Sequence, residues 1–147
     1  MDPVKSFFSH QQTEAIVHAI HQAELDTSGE IRVHIEKRCK KENVVEHATH
    51  LFFQLKMHET NLRNGVLFYL AVKDKKFAII GDEGINAKVT PDFWNNIKEH
   101  MLLKFKEKQF TEGLCDGIEM AGNQLKQHFP YTKNDLNELP NEVTFGK

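Results

Sequence analysis

The sequence predicts an α/β domain in which helices pack on the two faces of a small mixed β-sheet. Alternating apolar residues at Ile31, Val33 and Ile35 mark one strand, the nearly unbroken apolar run 65–72 marks a second, and residues 77–80 mark a third. Helical spacing fills the intervals before the first strand, between the first and second, and after the third.

The first element spans residues 11–25, where Ile16, Val17, Ile20 and Leu25, with Ala15, Ala19 and Ala23, recur at helical spacing. Ser9 offers a cap, and Thr27-Ser28-Gly29 offers an exit. From Glu30 the period changes to two: Ile31, Val33 and Ile35 alternate with Arg32, His34 and Glu36, which predicts a strand with one buried face. Residues 43–58 return to helical spacing through Val44, Val45, Ala48, Leu51, Phe52 and Leu55, followed by Met57.

The run 65–72 has no polar face, so this strand is expected at the centre of the sheet with both faces covered. Asp74-Lys75 turns the chain directly into residues 77–80, and so short a turn forces antiparallel pairing. The helix between the first two strands implies that those two run parallel. Thr90 and Pro91 open a helix through Phe93, Trp94, Ile97, Met101, Leu102 and Phe105, and Phe110 to His128 forms the last one. The expected order is α-β-α-β-β-α-α. Phe52, Phe53, Phe93, Trp94 and Phe105 fall at core spacing.

The 147 residues suit one domain, read here as 1–130, followed by a polar tail, 131–147, expected to be mobile or to lie on the surface. A formal charge of -2 disfavours a broad nucleic-acid interface. Cys39 and Cys115 stand far apart, without neighbours at metal-ligand spacing, and read as reduced thiols. The histidine pairs His18/His21 and His47/His50 share helical faces without the acid of a zinc-hydrolase helix, and read as exposed or partly buried histidines. With no leader-like start and no long apolar run, a cytoplasmic monomer without a membrane span is expected.

Strand direction carries the functional argument. If the first two strands are parallel and the third returns antiparallel, Glu30, Arg63, Asn64, Asp82 and Glu83 converge on one rim. Carboxylates and amides between glycines suit a hard cation such as Ca²⁺, with Mg²⁺ also compatible, because these ions take oxygen ligands. The glycines would let main-chain carbonyls approach and would permit unusual backbone angles. The alternative is a plain ion pair of Glu30 or Asp82 with Arg63. Asp116 would join the rim if the last helix begins there; otherwise an acid near a helix start serves as a cap or dipole partner.

The segments Ser28-Gly-Glu-Ile-Arg-Val-His-Ile35, Arg63-Asn-Gly-Val-Leu-Phe-Tyr-Leu70, Phe77-Ala-Ile-Ile-Gly-Asp-Glu-Gly84, Phe110-Thr-Glu-Gly-Leu114 and Gly122-Asn-Gln-Leu125 together resemble the TPM domain family. The chain is similar to a stand-alone bacterial version of it. The resemblance implies a Rossmann-like α-β-α sandwich. It also implies divalent-cation binding, calcium favoured, at an acidic strand-end cleft formed by Glu30, Asn64, Asp82 and Glu83, with Asp116 as a further ligand. The implied role is non-catalytic, in stress response or membrane-protein assembly, with a protein partner. The alternative it implies is a metal-assisted acid phosphatase with Asp82 or Asp116 as the essential acid. Many relatives have a Gly-x-Gly turn after the last strand, whereas Gly81-Asp-Glu-Gly84 here sets two acids between the glycines.

Overall fold

Ser9 begins the first helix with a capping box: its hydroxyl accepts from the Gln12 N–H, and the Gln12 side chain accepts from the Ser9 N–H. Two of the otherwise unpaired N–H groups at the start of α1, His10–Glu24, are thereby satisfied. In this computed structural model, which describes residues 7–130 and 143–146, the chain continues through β1 Glu30–Glu36, α2 Val44–Gln54, β2 Gly65–Ala71 and β3 Lys76–Gly81. It then forms a short α3 Glu83–Asn86, α4 Pro91–Lys106, α5 Phe110–His128 and β4 Val143–Phe145. The order derived from sequence is recovered, with α3 and β4 added.

The sheet is four-stranded in the order β3-β2-β1-β4. β1 runs parallel to β2, with Glu30 opposite Gly65, and β2 runs antiparallel to β3, with Val66 opposite Gly81. Both relationships follow from connection length, since a crossover helix is needed for parallel neighbours and a tight turn suffices for antiparallel ones. On one face Ile31, Val33, Val66, Phe68 and Ile79 pack against apolar residues of α1, α4 and α5. On the other, Leu67, Tyr69, Ala71 and Ala78 pack against Ala48, Leu51 and Phe52 of α2. The result is an α-β-α sandwich with its core on both sides of the sheet.

In the three-helix layer α5 packs against both α1 and α4. Its buried residues Leu114, Gly117, Ile118, Ala121, Gly122 and Leu125 recur at helical spacing. Gly122 lies against Ala23, so close that an added Cβ would fall on that residue. At the end of α5 the Thr27 hydroxyl bonds to the Leu125 and Phe129 carbonyls, and the Gly29 N–H donates to Thr27 Oγ1 at 3.1 Å. This knot fixes the C-terminus of α5 to the start of β1.

Several expectations are corrected. β1 is buried on both faces: Glu30, His34 and Glu36 on its polar side are all buried, Glu36 against His47 of α2 and Tyr69 of β2. Val143–Phe145, inside the stretch read as tail, adds a strand parallel to β1, with Val33 opposite Val143. It is only three residues long and carries no readable period. The remainder of that tail, 131–142 and Lys147, lies outside the described residues. Phe53 is half exposed, since only the α2 face bearing Ala48, Leu51 and Phe52 meets the sheet. No helix among the described residues is long and apolar enough to cross a membrane.

Candidate functional site

The rim at the start of β1 and β2 forms as strand direction requires. The Glu30 N–H donates to the Asn64 carbonyl at 3.2 Å, and the Asp82 N–H donates to the Gly65 carbonyl at 3.0 Å. Glu30, Asn64 and Asp82, distant in sequence, are thus joined by main-chain bonds, and all three are buried. Glu83 follows Asp82 into α3 and remains largely exposed.

Asp82 is held from two sides. Its Oδ1 accepts from the Glu83 N–H at 2.7 Å, capping α3. Its Oδ2 and Oδ1 also accept from Arg63 Nε at 2.9 Å and Nη2 at 3.0 Å, a bidentate fork that matches guanidinium to carboxylate. The same guanidinium lies 3.2 Å from Glu83 Oε1 through Nη1. The plain ion-pair alternative therefore describes Asp82. The Asp82 hydrogen bond holds the Arg63 group above its ordinary range.

Arg63 reaches this position from a left-handed backbone, φ 51°, a conformation that costs a non-glycine residue energy and marks a constrained turn. The turn is closed by the Gly84 N–H donating to the Arg63 carbonyl at 2.9 Å. A Cβ on Gly84 would fall on the carbonyl oxygens of Leu62 and Arg63, and one on Gly81 would meet the Trp94 ring. Close approach is thus what these glycines provide; no glycine among the described residues has a positive φ. Trp94 Nε1 donates to Asn86 Oδ1 at 2.9 Å, and Asn86 Nδ2 donates to the Gly81 carbonyl at 2.9 Å, which pins α3 against the strand end.

Asn64 adds the polar atom that stands out. Its N–H donates to Thr60 Oγ1 at 3.2 Å and its Nδ2 to Ser28 Oγ at 3.3 Å, while its Oδ1 is buried with no hydrogen-bond partner among the described residues. Buried acceptors are nearly always satisfied, so an unmatched one signals a missing partner such as water or an ion. At the end of α1, Glu24 Oε2 accepts from the Ile31 N–H at 2.7 Å. Burial pushes the Glu24 carboxyl up to about 7, against the lowering effect of that bond.

Asp116 does not join the rim. The end of α5, not its beginning, is tied to the start of β1, and Asp116 sits in the first half of the helix, 2.9 Å from His100 Nε2 on α4. No three His, Cys, Asp or Glu side chains among the described residues stand as a metal-holding group. A cation at the rim would depend on the Asn64 amide oxygen, water and the Asp82 and Glu83 carboxylates, in competition with Arg63. Carboxylate and amide oxygens are the ligand type a hard divalent ion takes.

A second buried cluster escaped the sequence. At the far end of β1, Glu36 Oε1 accepts from the Tyr69 hydroxyl at 2.7 Å and from His47 Nε2 at 2.8 Å, and His34 Nε2 lies 3.5 Å from Oε2. His34 Nδ1 lies 2.8 Å from Thr144 Oγ1 on β4. Burial alone would raise the Glu36 carboxyl, but the bonds from Tyr69 and His47 outweigh it and leave the group below its ordinary value. Burial lowers His34, against the opposing pull of Glu36, and burial raises the Tyr69 phenol, which the hydrogen bond to Glu36 reinforces. His47 is therefore not a surface histidine. The available signal was its place between Val44, Ala48 and Leu51 on the apolar face of α2. Both cysteines are free, and burial with nearby Asp116 and Glu112 pushes the Cys115 thiol up to about 11.

Comparison with known proteins fits this architecture. Residues 4–124 match the family model described as the TPM domain. The structure is similar to the NMR structure of the BA42 protein from the psychrophilic bacterium Bizionia argentinensis, at 46% identity and TM-score 0.89, covering 99% of this chain and 100% of that one. The N-terminal domain of a P. gingivalis protein aligns at 16% identity and TM-score 0.68, covering 86% of this chain and 84% of that one. The N-terminal domain of cg2496 from Corynebacterium glutamicum aligns at 14% and 0.63, covering 81% and 74%. These last two likenesses speak for the fold alone. No curated protein matches the chain. The family model covers most of the sequence, and the chain belongs to the TPM domain family.

Proposed function

We propose that this TPM domain binds a divalent cation, calcium in preference to magnesium, at the rim carrying Glu30, Asn64, Asp82 and Glu83, and that Arg63 is the counter-ion the cation replaces. The observation that carries this reading is one guanidinium set between Asp82 and Glu83, on a rim that also holds the buried, unmatched Oδ1 of Asn64. Arg63 is about one-third exposed whereas Asp82 is 4% exposed, so the guanidinium can leave toward solvent while the carboxylate stays. A bound divalent ion would supply two positive charges where the guanidinium supplies one. Calcium suits the site better than magnesium because it accepts irregular sets of oxygen ligands, whereas magnesium demands near-ideal octahedral geometry.

The proposed role is non-catalytic: ion binding stabilises the β3-to-α3 corner as part of a recognition surface for a protein partner, in stress response or membrane-protein assembly. As a nucleophile Asp82 would act through a carboxylate already paired with the guanidinium and with the first N–H of α3, both of which draw on its negative charge. No feature of the rim favours that phosphatase reading over binding. Thermal melting tests the proposal. Calcium should raise the midpoint relative to sodium chloride of matched ionic strength, and Asp82→Asn should lose that increment. Equal midpoints in the two salts would remove the proposal's support.

A further inference from the structure

At the edge opposite the acidic rim, where β2 ends and β3 begins, a cavity of about 450 Å³ opens between the hairpin and the junction of α4 and α5. Its size falls within the range of small-molecule sites, roughly 300–1,000 Å³. Phe77, Phe105, Phe110 and Leu102 contribute its apolar wall. The rings stand edge to face or tilted, with Phe77 to Phe105 at 5.1 Å and Phe105 to Phe110 at 5.6 Å, so the wall is a packed surface.

The mouth is cationic. Lys75, Lys76, Lys106 and Lys108 line it, and the two segments that supply them, 73–76 and 104–108, hold six lysines against two acids. The whole chain carries -2, so this concentration runs against the protein's overall charge. Of the two acids, Asp74 is occupied with Arg38 and the Cys39 N–H, and Glu107 stands exposed between Lys106 and Lys108. Lys76 Nζ donates to the Glu42 carbonyl, which leaves Lys75, Lys106 and Lys108 to set the field at the opening.

We infer that this cavity binds an amphipathic anion, an aliphatic chain ending in a carboxylate, with the chain among the phenylalanines and the head group among the lysines. A half-open apolar cleft with charge around it is concave where a bilayer surface is flat, which suits a single inserted chain. Long lysine side chains allow this arrangement, since their stems cover apolar surface while their ammonium groups stay in water. The site shares no residue with the acidic rim, so the two ligand proposals stand or fall separately.

Titration of the full chain with sodium decanoate below its aggregation concentration, followed by amide NMR, tests this directly. Saturable shifts confined to Val72, Phe77, Phe105, Phe110 and their neighbours are expected, with none for decyltrimethylammonium. The Lys106→Glu/Lys108→Glu double variant changes only exposed residues and should weaken decanoate by about tenfold while leaving the spectrum folded. The inference is overturned by an absence of saturable shifts, by equal response to the cationic amphiphile, or by unchanged affinity in the double variant. Binding to anionic phosphatidylglycerol vesicles without a decanoate response at these amides would also overturn it.

Discussion

Arg63 holds both carboxylate oxygens of Asp82, Nε to Oδ2 at 2.9 Å and Nη2 to Oδ1 at 3.0 Å, from a left-handed backbone position two residues before β2 begins at Gly65. Charge matching and chain geometry therefore meet in one residue. If Arg63 occupies the place of a cation, removing its charge should favour the ion. Arg63→Gln should melt lower than wild type without calcium and gain more from calcium than wild type does. An identical calcium response in the two proteins would show that Arg63 and the ion do not compete.

Gly84 sets the shape of that corner. Its backbone is too near the Leu62 and Arg63 carbonyl oxygens for any side chain, and neither oxygen can rotate away as a flexible side chain would. Gly84→Ala should cost about 1–3 kcal/mol in urea unfolding, the usual range for overpacking a fixed environment. A change below about 0.5 kcal/mol, typical of an uninvolved surface site, would show that the turn relaxes freely.

Much of this rim was legible in the sequence because strand direction depends on the length of connections. A tight turn at Asp74-Lys75 and a helix between the first strands were enough to bring Glu30, Asn64 and Asp82 together. What the sequence did not disclose depended on side-chain pairing across the fold. The pairing of Asp82 with Arg63 was among the alternatives the sequence offered, but its bidentate form rests on the unusual φ of Arg63, which no local pattern announces. His34 and Glu36 looked solvent-facing because alternation reports polarity, not burial, and their partners lie on α2, β2 and β4. Asp116 was misplaced for want of the helix direction that Thr27 and Leu125 fix.

The Glu36 cluster should appear in acid stability. Its folded carboxyl lies below the ordinary 4.5. Its contribution is therefore complete above that value and is lost as pH falls through the lower folded value. Glu36→Gln should remove part of the acid-induced loss and cost about 1–3 kcal/mol at neutral pH, because charge-assisted bonds to Tyr69 and His47 are weakened in a buried site. Urea midpoints across the acid range would measure both effects; unchanged midpoints would mean that the network contributes nothing net.

Glu24 should act in the opposite direction. Its folded value, about 7, lies above the ordinary 4.5, so the folded state keeps this proton more tightly. Stability from this group falls as pH rises from 4.5 to 7 and is constant above. Glu24→Gln should be more stable than wild type by roughly 1–3 kcal/mol above neutrality, with the difference vanishing in acid. Lowered His34 gives a trend of the other sign below its ordinary 6.5, so the paired comparison with Glu24→Gln isolates the carboxyl. A constant difference at every pH would contradict the assignment.

On the proposed reading, the rim exchanges Arg63 for a divalent ion. Amide NMR of the full chain during calcium titration at constant ionic strength tests it most directly. Saturable shifts centred on residues 63–65 and 81–86 are expected, together with a change at the Arg63 Nε–H. No shift in those residues at millimolar calcium, or shifts that leave Arg63 untouched, would contradict it.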